Sequence, residues 1–206
     1  MEIEGMEITN EPLNNVGKLW EDYKNRAKPV PAGYHTAVLS SINEFNTYTT
    51  QKGDPFPVAN LDFELYGGEL DGKSLRFQRL IINQLIGLFQ AAGVEDPPGT
   101  TVELAEGLAA IKDTGAVFKV RTDLEAFSTE AYTAKLMELT ETDDGDTARS
   151  AAGKDEKREA AQYATIFTSA REFPVDSAGE PVTTVDCPYT QGKVQARAVV
   201  KGFATA

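Results

Sequence analysis

Cysteine and histidine are nearly missing from this chain, with one Cys187 and one His35 among 206 residues. A single thiol closes no internal disulfide, and one thiol with one imidazole makes neither a zinc site nor a Cys/His nucleophile pair. Cys187 therefore reads as a free, buried thiol, and His35 as a residue without chemistry. Long apolar runs are missing too, and none approaches the length of a membrane span. The opening MEIEGMEITNEP is acidic where a secretory leader starts basic and turns apolar. These absences predict a cytoplasmic protein with no membrane partner. An excess of positive charge is the third thing missing: 20 Lys and Arg stand against 32 Asp and Glu, a formal net charge of −12. That balance disfavours a polyanion as ligand, because phosphate neutralisation and counterion release dominate such binding. It does not exclude one, since a ligand at physiological salt feels charge within roughly 8 Å.

Catalytic signatures are also lacking. GGELDG has no Lys-Ser/Thr ending of a phosphate-binding loop, and no strand runs into a glycine-rich helix start. The acid pairs Asp143/Asp144 and Asp62/Glu64 fall on a polar linker and on the wet period of a strand, so they read as solvated surface and not as an acid–base or metal pair. The expectation is a non-enzymatic protein with no cofactor and no metal.

What is present is material for a core. Hydrophobic residues are 41% and charged residues 25%, the composition of a chain that folds. Residues 1–28 hold one amphipathic helical arm, with Leu13, Val16, Trp20 and Tyr23 at helical spacing after a cap at Asn10 and Pro12 in the first turn. Residues 29–140 carry the clear signals and form the expected domain. PAGYHTAVLSSINEF reads as a long first strand, and VANLDFELY as a second in which Leu61, Phe63 and Leu65 alternate with Asp62, Glu64 and Tyr66. GGELDGK makes the hairpin connection through Asp71-Gly72. KSLRFQRLI follows as a third strand with Leu75 and Phe77 inward. NQLIGLFQAAG predicts a short helix ending at Gly93; TVELAEGLAAIKDTG suits a helix apart from Gly107. AVFKVRT and AYTAKLMEL are the fourth and fifth strands. Residues 141–160 read as a polar linker entering a charged helix, and 161–206 as a helical and β C-terminal extension with a strand candidate at 193–200.

Three strands, a helix and two strands is the order of an OB-fold, so the predicted class is mainly β: a five-stranded OB-like barrel with a helix between strands three and four. Over residues 29–140 the cues resemble a group of bacteriophage proteins, formerly of unknown function and regarded as single-stranded-DNA-binding-like. The likeness rests on Gly33 and Tyr34 in the first strand, on Gly67, Gly68 and Gly72 before residues 75–89, and on the helix exit at Ala92 and Gly93. The resemblance implies a role in phage replication or recombination, in host cytoplasm, with single-stranded DNA, phage or host replication proteins and further copies of itself as partners. One difference is that the acidic cluster Glu141, Asp143, Asp144 and Asp146 is internal, where such proteins often end in an acidic tail.

Sequence-tolerant binding of single strands needs cations along a groove and aromatic faces on which bases stack. Candidates for the first are Lys73, Arg76 and Arg79 in the third strand region, Lys119 and Arg121 on the fourth, and Lys135 on the fifth. Tyr48 and Lys52 belong to the loop after the first strand, and Tyr66 faces away from the core as a stacking residue. Outward Lys and Arg equally serve solubility and edge protection. Phe63, Phe77, Phe89 and Phe118 are assigned to the core, while Tyr34 shares a strand face with Val38 and Ile42, which favours burial. Two rivals remain open: an acidic protein-interaction or inhibitor protein of phage origin, and a structural component of a phage particle.

Overall fold

Gly33 starts a 17-residue strand, β3 (Gly33–Thr49), that is too long to stay straight against one core. Two register shifts, between Leu39 and Ser41 and between Ile42 and Glu44, bend it around its partner β4 (Pro55–Tyr66). In β4 the two-residue period holds, and Leu61, Phe63 and Leu65 are completely buried. β5 (Ser74–Ile81) returns beside β4 and runs directly into α1 (Ile82–Ala91), which buries Leu85, Leu88 and Phe89. A second helix, α2 (Thr101–Thr114), begins at Thr100, whose hydroxyl accepts the Glu103 N–H, and ends at Gly115 in the left-handed conformation. β6 (Phe118–Phe127) then crosses back beside β3 with Phe118 and Val120 inward. The computed structural model describes residues 2–3, 6–7, 29–49, 53–96 and 98–206. The expected N-terminal helical arm lies outside them, apart from a two-stranded pairing of β1 (Glu2–Ile3) with β2 (Met6–Glu7).

After β6 the structure departs from expectation. AYTAKLMEL is not a fifth strand but most of α3 (Thr129–Thr140). Its Glu, Ala, Lys, Leu and Met are strong helix formers, and Ser128 caps the first turn by accepting the Ala131 N–H at 3.1 Å. The linker is also structured, as α4 (Gly145–Ala151), capped by Asp144, and α5 (Lys154–Ala164). Leu136, Ala148, Ala152 and Ala160 pack these three helices together. The chain returns through β7 (Thr165–Phe167) and the hairpin of β8 (Thr184–Asp186) with β9 (Lys193–Gln195). It ends in β10 (Arg197–Thr205), which pairs antiparallel with β6.

The main sheet is therefore antiparallel in the order β10-β6-β3-β4-β5, with β7 as a sixth strand on β6. Its core joins β10 to the rest: Phe63, Phe118 and Phe203 pack with ring centroids 5.6 to 6.0 Å apart. Three expectations are corrected by this arrangement. The class is mixed, a six-stranded antiparallel sheet with five helices among the described residues, and not mainly β. The sheet does not close, since β5 and β10 share no ladder. The boundary at residue 140 does not separate the sheet from the C-terminal part of the chain, because residues 197–205 supply one of its strands. Among the described residues no helix is long and apolar enough to cross a membrane.

Candidate nucleic-acid interface

The outward side of the sheet is set by the same alternation that buries its core. On β6 the outward residues are Lys119, Arg121, Asp123 and Glu125. Register places Arg121 opposite Tyr34, and Lys119 opposite Thr36, which is in turn opposite Tyr66. On the other flank of β6 the opposite residues are Gly202 and Ala204, too small to cover either cation. Tyr34 is 60% exposed and Tyr66 45%, so Tyr34 belongs to this patch and not to the core. Two cations and two tyrosines thus share one end of the sheet.

A second cluster lies where β5 and β10 approach without pairing. A cleft of about 730 Å³ opens there, lined by Arg76, Phe77, Arg79, Arg197, Lys201 and the backbone of residues 198–200. Its charged lining is four cations and one anion, Glu125. Arg197 is committed: it pairs with Glu125 and stacks over the Phe127 ring at 5.5 Å. Arg76, Arg79 and Lys201 have no ion pair among the described residues. Asp123 stands near the cleft. Burial pushes its carboxyl up, but the Ala170 and Leu124 N–H groups, at 2.7 and 2.8 Å, with the Ser169 hydroxyl and the charge of Lys201, hold it below its ordinary value. It stays ionised.

Phe77 is the residue that sequence reasoning misplaced. Assigned to the core, it is 72% exposed. Along β5 the buried residues are Leu75, Gln78 and Leu80, and the register to β4 shifts between Leu61 and Phe63. One residue is therefore extra, and Phe77 is turned outward. The signal was present in the spacing: Leu75 and Leu80, five apart, cannot both face inward in a regular strand. Arg197 and Lys201 were also missed, since they enter only once β10 joins the sheet.

The remaining expected residues do not converge. Tyr48, half exposed, lies opposite Phe56 at the far end of β3, and Lys52 falls outside the described residues. Lys73 is partly buried at a different cleft, with Glu69, Asp176 and Glu180 among its lining. Lys135 is on α3, not on a strand, and is tied to Glu138 at 2.8 Å and Glu159 at 3.6 Å over the Tyr163 ring. The Glu138 carboxylate raises it above its ordinary value. The expected single trough is two patches, separated on β4 by Asp62 and Glu64 and meeting on the β10 side, where Lys201 adjoins Gly202, the partner of Arg121.

Comparison with protein-family models, curated proteins and solved structures returns no match to this chain. The geometry has to carry the functional reading alone.

Two other features have structural roles. Asp144, one of the paired acids, accepts the Thr147 hydroxyl and N–H, both at 2.7 Å, and these hold it below its ordinary value as the cap of α4. His35 bonds Pro31 O at 2.8 Å and the Thr122 hydroxyl at 3.0 Å, tying the start of β3 to β6.

Proposed function

We propose that this chain is a non-enzymatic single-stranded-DNA-binding protein of the phage replication or recombination type, on an OB-like strand arrangement. The strand order supports it: five antiparallel strands in the order fifth, fourth, first, second, third, with helices between the third and fourth, is compatible with an OB Greek key left open at one seam. The observation that carries the reading is the seam cleft, whose lining combines Arg76, Arg79 and Lys201 with the exposed Phe77. Cations held in no direct ion pair can follow phosphates, and an exposed aromatic face stacks any base. The Tyr34, Tyr66, Lys119 and Arg121 patch extends the same chemistry along the sheet.

The test is a fluorescence-anisotropy titration of labelled oligo-dT and duplex DNA at two salt concentrations. The expected result is preference for the single strand, weakened by the triple change Arg76→Ala, Arg79→Ala and Lys201→Ala. The salt slope then falls by about 0.7 per lost phosphate contact, roughly 2 in all. Unchanged affinity and slope in the triple variant would remove the site.

A second reading, recognition of a basic protein partner, draws on the net charge of −12 and on the helical layer, where Glu138, Asp155 and Glu159 are mostly exposed. A protein that binds neither DNA form would favour it.

A further inference from the structure

Phe77 has φ 52°, a backbone conformation disfavoured for any residue with a Cβ and an outlier for an aromatic one. The other non-glycine residue with positive φ among those described is Glu141, where the left-handed turn simply ends α3. No such turn is needed within β5. Leaving the same ring 72% exposed also forgoes the burial that a phenylalanine on a strand ordinarily gains. Two unfavourable features at one residue, on the rim of a cationic cleft, need a group that imposes them.

That group is Asp62. Its Oδ1 accepts the Phe77 N–H at 2.6 Å, replacing the ladder acceptor lost at the bulge. The same oxygen accepts the Asn43 side-chain amide at 2.7 Å, and Asn43 accepts the Ser41 hydroxyl at 3.0 Å, so the carboxylate is anchored to the neighbouring strand. Electrostatically Asp62 is misplaced, since a carboxylate near Arg76 and Arg79 repels phosphate. We propose that Asp62 is a positioning residue that turns Phe77 outward as a preformed stacking platform for a base of single-stranded DNA, an inference that rests on the function proposed above. Because the ring is already outward before the strand arrives, less side-chain ordering opposes stacking.

The charge makes the test one of sign. Titrations of the full chain use labelled oligo-dT of about 15 nucleotides and an abasic oligonucleotide of equal length, which offers phosphates without bases. Phe77→Ala is expected to weaken oligo-dT binding about tenfold, the equivalent of about 1.4 kcal/mol, and to leave the abasic ligand unaffected. Asp62→Ala is expected to reproduce the oligo-dT loss while the abasic ligand binds equally or more tightly. Asp62→Asn, whose amide oxygen still accepts the Phe77 N–H, is expected to keep wild-type oligo-dT affinity. Loss of both ligands in Asp62→Ala, or oligo-dT binding as tight as wild type, overturns the positioning role. Wild-type protein that ignores oligo-dT removes the proposed function itself; wild type that binds but is indifferent to Phe77→Ala and Asp62→Ala removes the platform alone.

Discussion

The side-chain amide of Gln78 stands where a strand ladder would be, its Oε1 accepting the backbone N–H of Val200 at 2.9 Å. Its Nε2 donates to Ala198 O at 3.2 Å and to Arg76 O at 3.0 Å, so one buried glutamine bridges β5 and β10 where their backbones do not meet. Gln84 adds a bond of 3.1 Å to Val200 O. The floor of the seam cleft is thus made of side-chain amides and not of sheet.

Gln78→Leu keeps the bulk but leaves the Val200 N–H and the Ala198 carbonyl without that partner. Buried groups stripped of their hydrogen bonds cost about 1–3 kcal/mol each, so a loss of about 2–6 kcal/mol is expected. A lowered urea midpoint with an unchanged slope checks it. A midpoint equal to wild type would mean that the amide bonds contribute nothing to holding β10.

Gly107 lies mid-helix in α2, where alanine would ordinarily gain about 1 kcal/mol. A Cβ there would sit 2.4 Å from Cε1 of Phe89, a buried ring on α1. Gly107→Ala is therefore expected to destabilise the protein by about 1–3 kcal/mol through overpacking. Adding Phe89→Leu removes the clashing ring, so the double variant should be less destabilised than the sum of its single changes. Chemical denaturation of all four proteins forms the cycle, and a stabilised Gly107→Ala would show that the two helices separate at no cost.

The glycine that interrupts the helical pattern of α2 is explained by the close helix contact, which no local pattern encodes. Period two did expose most of the sheet: Leu61, Phe63, Leu65, Phe118 and Val120 all face the core, and the first four strands lie where alternation put them. The fifth strand failed for a physical reason. AYTAKLMEL carries no clean two-residue alternation, and the capping Ser128 and the helix-forming composition decide the backbone. The true closing strand lies some 70 residues downstream of β6, beyond a helical insertion, and partners that distant leave no mark on local spacing. For the site, Arg76, Arg79, Lys119, Arg121 and Tyr66 were legible as outward residues. Their grouping around the seam was not, because it depends on β10, which brings Arg197 and Lys201 in from far along the chain.

The separation of the two patches along β4 yields the last prediction. Tyr66 and Asn60 are six residues apart on β4, about 20 Å along a strand, so a short ligand in the cleft does not reach Tyr66 or Lys119, although Arg121 lies beside the cleft residue Lys201. An oligonucleotide of about 5 nucleotides should fill the seam cleft alone, whereas one of about 15 should also reach Lys119 and Tyr66, within the range of site sizes seen on single OB domains. Arg76→Ala with Arg79→Ala is then expected to weaken both lengths. Lys119→Ala with Tyr66→Ala should weaken only the longer, with the salt slope for the shorter unchanged, and Lys135→Ala, already neutralised by Glu138 and Glu159, should affect neither. Anisotropy titrations of the two lengths against the three variants decide the matter. Equal losses for both paired changes on the short oligonucleotide would mean that the acids on β4 do not divide the surface, and that one groove runs across it.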